Sequence, residues 1–163
     1  MNRRAIYPGT FDPITYGHLD VIKRASRIYD NVLIGVAHNK EKNPLFTIKE
    51  RVAILRKAVS RFKNVSVEDF KGLVVEYAKK KKETRVIIRG LRMISDFEYE
   101  FQMALTNRKL TEDIETIFMM TGDSFAYLSS KLIKEAVRLG ADVRKFVPDF
   151  VADALEKKLK NKD

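Results

Sequence analysis

Short β-branched runs alternate with amphipathic stretches along this chain, and that alternation restricts it to one class of fold. Residues 4–7, 32–37, 65–68, 86–88 and 116–120 read as strands. Several are nearly unbroken apolar runs, as in Val32-Leu33-Ile34-Gly35-Val36-Ala37. Strands read that way when both faces are covered, as in a parallel sheet. Between them, apolar residues recur at helical spacing, beginning with Leu19, Ile22, Ala25 and Tyr29. Thr47-Ile48-Lys49-Glu50 has the capping-box pattern and precedes Val52, Ile54, Leu55 and Val59. Residues 73–81 predict a third helix. Ser95-Asp96-Phe97-Glu98 predicts a second capping box, with Phe97, Phe101 and Leu105 four apart as a core-facing stripe. Residues 130–139 predict a fifth helix stopped by Gly140, and Pro148 suits the first turn of a last one. The order predicts an α/β fold: a doubly wound five-stranded parallel sheet with helices on both faces, right-handed crossovers and a C-terminal helix. With 163 residues, 45% of them hydrophobic, the expectation is a single domain spanning 1–163.

Several function classes are disfavoured at once. No apolar run approaches the ~18 residues that cross a bilayer. Pro8 and Gly9 interrupt the first apolar stretch, so it does not read as a secretory signal, and a soluble cytoplasmic protein is expected. Without cysteine there is no disulfide, thiolate nucleophile or cysteine-held zinc. The net charge of +10 invites a nucleic-acid reading. However, Lys79-Lys80-Lys81-Lys82 and the lysine-rich tail hold much of the excess, as solvated helix ends do. The aromatic residues Phe97 and Phe101 follow a helical pattern rather than that of a base-stacking platform.

In doubly wound sheets ligands bind beyond the carboxyl ends of the strands, so residues following strands carry the information. The first strand is followed by Tyr7-Pro8-Gly9-Thr10-Phe11-Asp12-Pro13-Ile14-Thr15-Tyr16-Gly17-His18. Gly9 lets backbone approach a ligand, Thr10 adds a hydroxyl, and Gly17 with His18 opens a helix whose free N–H groups favour an anion. Thr15 and His18 lie one turn apart and can face the same anion. Lys42-Asn43-Pro44-Leu45-Phe46-Thr47 follows the second strand. Ile88-Arg89-Gly90-Leu91-Arg92 ends the fourth, where two guanidinium forks suit phosphate oxygens, or simply carboxylates in surface ion pairs. Phe125-Ala126-Tyr127-Leu128-Ser129-Ser130-Lys131 leads into the fifth helix, with either serine a candidate N-cap.

Thr15-Tyr16-Gly17-His18 resembles the T/H-x-G-H signature of the Rossmann-like nucleotidyltransferase superfamily. The run from Arg4 to His18, with the three later segments in matching order, resembles the phosphopantetheine adenylyltransferases. That resemblance implies transfer of AMP from ATP to 4′-phosphopantetheine in coenzyme A synthesis, with Mg²⁺ and as a homohexamer. It implies catalytic roles for Thr10, His18, Lys42 and Arg92, with His18 stabilising the transition state. ATP would contact Thr10, Phe11, His18, Gly90, Leu91, Arg92 and Glu100. It would also contact Phe125, Ala126, Tyr127, Leu128, Ser129, Ser130 and Lys131. The acceptor would contact Thr10, Lys42, Val74 and Arg89. Lys131 stands where the family usually has a small hydroxyl residue, and Phe125 where tryptophan is common.

These residues suit the reaction physically. The acceptor phosphate is already a charged nucleophile at neutral pH, so no general base is required. Two anions must instead be aligned while charge gathering on the α-phosphate and pyrophosphate is neutralised. No dedicated metal ligand is expected, because Mg²⁺ rides on phosphates; Asp12 is a candidate for a water-mediated contact. A nucleotidyltransferase for another phosphorylated acceptor is the alternative, with a basic nucleic-acid module as the rival from outside the enzymes.

Overall fold

The computed structural model describes residues 3–39, 41, 43–81 and 84–160. All five expected strands form: β1 (Arg4–Gly9), β2 (Asn31–Ala37), β3 (Val65–Phe70), β4 (Thr84–Leu91) and β5 (Glu115–Met120). They make one parallel sheet in the order β3-β2-β1-β4-β5. The helices are α1 (Tyr16–Ile28), α2 (Ile48–Val59), α3 (Val74–Lys80), α4 (Ile94–Leu110), α5 (Ser130–Arg138) and α6 (Asp149–Lys160), with a short 3₁₀ turn at Asp123–Phe125.

Neighbouring residues in the central strands feed two separate cores, which is why these strands are apolar throughout. Ala5, Tyr7, Val32, Ile34 and Ile88 belong to a buried cluster that includes side chains of α1, α2, α5 and α6. Ile6 and Ile87 instead join Val75 and Ala78 of α3 and Ile114 in a second cluster. Arg89 has the same strand parity as Ile87 and meets Glu100 of α4, so α4 shares the face of α3. Ile6, Ile34, Ile87 and Ile88 are wholly buried, each contributing roughly 1.5–3 kcal/mol relative to an exposed side chain.

The expected helix signals at 47–50 and at Gly140 hold. Thr47 N–H donates to Glu50 Oε2 at 2.7 Å and Glu50 N–H to Thr47 Oγ1 at 3.3 Å. Gly140 follows the last turn of α5 with φ +84, a conformation that favours glycine.

Two expectations for α4 fail. Its N-cap is Met93, with no side-chain cap, and Ser95 already lies inside the first turn. Asp96 is recruited by Arg92 instead. The stripe Phe97, Phe101 and Leu105 is not core, being 41%, 45% and 46% exposed. Phe97 stacks on Phe101 and meets Phe118 of the edge strand β5 edge-on, with no third layer over them among the described residues.

Candidate active site

Strand order and register open a crevice where the expected ligand residues lie. From β1 the chain winds outward through β2 to β3, then β4 returns to the other side of β1, making a topological switch point. β1 pairs with β2 as far as Gly9↔Val36, and β4 with β5 as far as Leu91↔Met120. The ladder between β1 and β4 ends at Ile6↔Ile87. Beyond it the two tips border a cavity of about 550 Å³, completed by the N-termini of α1 and α5. Both tips leave little room for a side chain. A Cβ on Gly9 would stand 2.9 Å from the Phe11 ring, and one on Gly90 3.2 Å from the Tyr7 hydroxyl.

The T-x-G-H spacing proves to be a capping box with histidine as its fourth member. Thr15 is the N-cap of α1, and its Oγ1 accepts from the His18 N–H at 3.3 Å. The Thr15 N–H donates to His18 Nδ1 at 3.1 Å. A backbone N–H can only donate, so Nδ1 is the acceptor and the proton of the neutral ring sits on Nε2. Withdrawal from solvent, then the charges of Arg92 and Arg89, lower the His18 pKa to about 4. The cavity wall therefore carries a neutral imidazole, whose Nε2–H is not consumed by its cap. Phe11, buried and held at φ 49, sets its ring edge-on to both Tyr7 and His18, at 5.4 and 5.1 Å between centroids. A bulky residue at that φ is strained, and packing on both sides of the ring maintains it.

Both arginines are cavity residues and ion-paired at once. Arg89 donates to Glu100 through Nε at 2.6 Å and Nη2 at 2.5 Å, and through Nη1 to the Pro8 carbonyl at 2.9 Å. Burial disfavours its charge, but the Glu100 pairing outweighs this and raises its pKa. Arg92 pairs with Asp96 at 3.0 and 3.1 Å and donates to the Leu128 carbonyl at 2.9 Å, linking β4 to the start of α5. Ser129 is the N-cap of α5, whereas Ser130 donates its hydroxyl to the Pro13 carbonyl at 2.8 Å. Asp12 accepts from Leu45 N–H and Phe46 N–H, both at 2.9 Å, and from Lys134 Nζ at 2.5 Å. Both of its oxygens are therefore engaged by protein donors. Among the described residues no group of three His, Cys, Asp or Glu could hold a metal ion.

Of the residues singled out in the sequence, Thr10, Phe11, His18, Arg89, Gly90, Arg92, Glu100, Leu128, Ser129, Ser130 and Lys131 line this cavity. Its wall does not include Leu91, Phe125, Ala126, Tyr127 or Val74. The Leu91 carbonyl accepts from Thr121 N–H at 2.8 Å, and the Phe125 ring stands 6.4 Å from that of Tyr16. Tyr127 is exposed, edge-on to Phe146, and Val74 packs with the α3 core. Lys42 lies outside the described residues. Sequence reasoning missed Lys134 and the buried Arg51. Arg51 did carry a signal: it shares the helical face of Ile48, Val52, Leu55 and Val59, where an apolar residue is normal.

Residues 6–136 match the cytidylyltransferase-like family. A phosphopantetheine adenylyltransferase of Alkaliphilus metalliredigens is 53% identical over 153 residues, covering 94% of this chain and 97% of the relative. One from Caldanaerobacter subterraneus subsp. tengcongensis is 52% identical, covering 97% and 98%. One from Dictyoglomus turgidum is 47% identical, covering 98% and 99%. In fold, the chain is similar to a solved Vibrio parahaemolyticus protein described as a nicotinate-nucleotide adenylyltransferase. Its TM-score is 0.71 at 18% identity, covering 99% of this chain and 94% of that one. With a family match across most of its length and relatives above half identity end to end, this chain belongs to the cytidylyltransferase-like family and, within it, to the phosphopantetheine adenylyltransferases.

Proposed function

We propose that this protein transfers the adenylyl group of ATP to the phosphate of 4′-phosphopantetheine, giving dephospho-coenzyme A and pyrophosphate. The observation that carries the reading is identity of 47–53% to relatives of that name along nearly the whole chain. The crevice between β1 and β4 supports it. There ATP contacts Thr10, Phe11, His18, Gly90, Arg92, Glu100 and residues 128–131, and the acceptor contacts Thr10 and Arg89; the contacts that the family resemblance adds, with Leu91, residues 125–127, Val74 and Lys42, fall outside the described wall of the crevice. A phosphate oxygen of the acceptor attacks the α-phosphorus in line. The new O–P bond forms as the bond to the β-phosphate breaks, and both electrons leave with pyrophosphate. No proton has to move and no covalent enzyme intermediate forms. The Nε2–H of His18 and the guanidinium of Arg92 donate to oxygens that gain charge, a contribution of about 3–4 kcal/mol per well-aimed donor.

Four cations and three carboxylates line the cavity, so its side chains are nearly balanced and the first turns of α1 and α5 add positive potential. The carboxylates are taken by Lys134, Arg92 and Arg89. This donor set does not fit a protein-held ion. Mg²⁺ belongs instead to the substrate, carried on the triphosphate of ATP.

The protein acts as a homohexamer in the cytoplasm, without nucleic-acid or membrane partners. Exposed apolar side chains on α4 and β5 support self-association: Ile94 is 87% exposed, Tyr99 63% and Met120 74%. No helix of the described residues is long and apolar enough to cross a membrane. The test is pyrophosphate release from ATP with a panel of phosphorylated acceptors, alongside light scattering for mass. Turnover with 4′-phosphopantetheine is expected; its absence, or preference for nicotinamide mononucleotide, would overturn the assignment. A monomer mass would overturn the hexamer alone.

A further inference from the structure

Beside the cavity lies a buried arginine that the reaction as described above does not use. Arg51, on the first turns of α2, is 2% exposed. Its guanidinium donates to four main-chain carbonyls: Thr10 at 2.8 Å, Ala37 at 2.9 Å, Phe46 at 3.1 Å and His38 at 3.4 Å. These belong to three separate segments, namely the tip following β1, the end of β2 and the entry to α2. Burying an arginine is costly, and a core site on a helix is ordinarily filled more cheaply by leucine or methionine. Helix α2 has its own capping box and apolar stripe, so neither its start nor its packing requires this charge.

The same junction is held from the other side by the opposite charge. Asp12 takes the N–H groups of Leu45 and Phe46, adjoining the carbonyl of Phe46 that Arg51 takes. Peptide groups at the strand tips are thus fixed by two buried ions of opposite sign. The planar fork of arginine reaches several carbonyls in fixed directions, which an ammonium on a flexible stem does not. We propose that Arg51 is a positioning residue for adenylyl transfer: it fixes the Thr10 backbone and the mouth of the β2–α2 connection in the geometry the aligned substrates need. This rests on the functional reading above. Arg51 bonds to the carbonyls of Thr10, Ala37, His38 and Phe46, and not to His18, Arg92 or the start of α5, the groups which that reading gives to the nucleotide phosphates. The effect therefore falls on turnover rather than on ATP affinity.

The experiment compares Arg51→Lys and Arg51→Gln with wild type and with Val151→Ala, a core variant on α6. Steady-state pyrophosphate release gives kcat and KM for 4′-phosphopantetheine, calorimetry gives the Kd for ATP, and thermal melts guide assays to temperatures where each protein is folded. In folded Arg51 variants kcat is expected to fall about 10- to 100-fold, the scale of a displacement near 1 Å, with the ATP Kd within about twofold. Val151→Ala is expected to lower Tm while leaving kcat within about twofold. Arg51 variants with lowered Tm and kcat within about twofold of wild type would overturn the proposal, leaving Arg51 a purely structural residue. So would the absence of a cooperative melt in both, since the fold would then depend on the charge. Wild type without turnover on 4′-phosphopantetheine would instead remove the functional reading itself, and this proposal with it.

Discussion

The backbone N–H of Thr15 donates to Nδ1 of His18 at 3.1 Å, so the residue that caps helix α1 also decides where the imidazole proton resides. Burial, with Arg92 and Arg89 nearby, lowers the pKa of that ring to about 4. We expect ¹⁵N spectra of the free protein to show the neutral Nε2–H tautomer of His18, unchanged from about pH 8 to about pH 6 and titrating only toward about pH 4. The unfolded chain binds this proton more readily, with an ordinary pKa near 6.5. The stability associated with His18 is therefore complete above that pH and is lost as pH falls toward the folded value. Urea midpoints should drop more between about pH 7 and about pH 5 in wild type than in His18→Gln.

His18→Ala removes an Nε2–H aimed at the cavity while leaving Thr15 its cap bond to the backbone at position 18. Turnover should fall about 10²- to 10³-fold, the effect of losing one preorganised donor, while ATP affinity changes only a few-fold. Steady-state kinetics with calorimetry measures both, and near-wild-type turnover would assign the ring to structure.

The pair formed by Arg89 and Glu100 joins β4 to α4, and Glu100 is nearly buried. Glu100→Gln keeps the shape but removes the charge. We expect a loss of roughly 1.5–3 kcal/mol in urea unfolding, the range of charge-assisted hydrogen bonds, and a higher KM for the acceptor as Arg89 loses its anchor.

Asp12→Ala would strand two backbone donors and the ammonium of Lys134 in a buried junction. Breaking a buried ion pair from one side costs about 3–5 kcal/mol. A large fall in Tm is expected, and if Tm stays within a few degrees the carboxylate does not hold the β2–α2 connection.

What the sequence determined was local. The apolar periods of five strands and six helices, the box at Thr47 and the stop at Gly140 are set by residues within a few positions of one another, and spacing records those. It also ordered most of the ligand residues, because they end or follow a strand or open a helix; Glu100, inside α4, is the exception. Only the tertiary structure decided which charge meets which. Arg92 pairs with Asp96 at the start of α4, where Met93 and not Ser95 is the N-cap, Lys134 reaches back 122 positions to Asp12, and Arg51 turns inward to carbonyls of three segments. It also left the Phe97 stripe uncovered at the sheet edge. The ladder between β1 and β4 stops at Ile6↔Ile87 while their outer ladders continue. Helical or strand periodicity fixes which face a side chain takes; what waits on that face is set by chain segments distant in sequence.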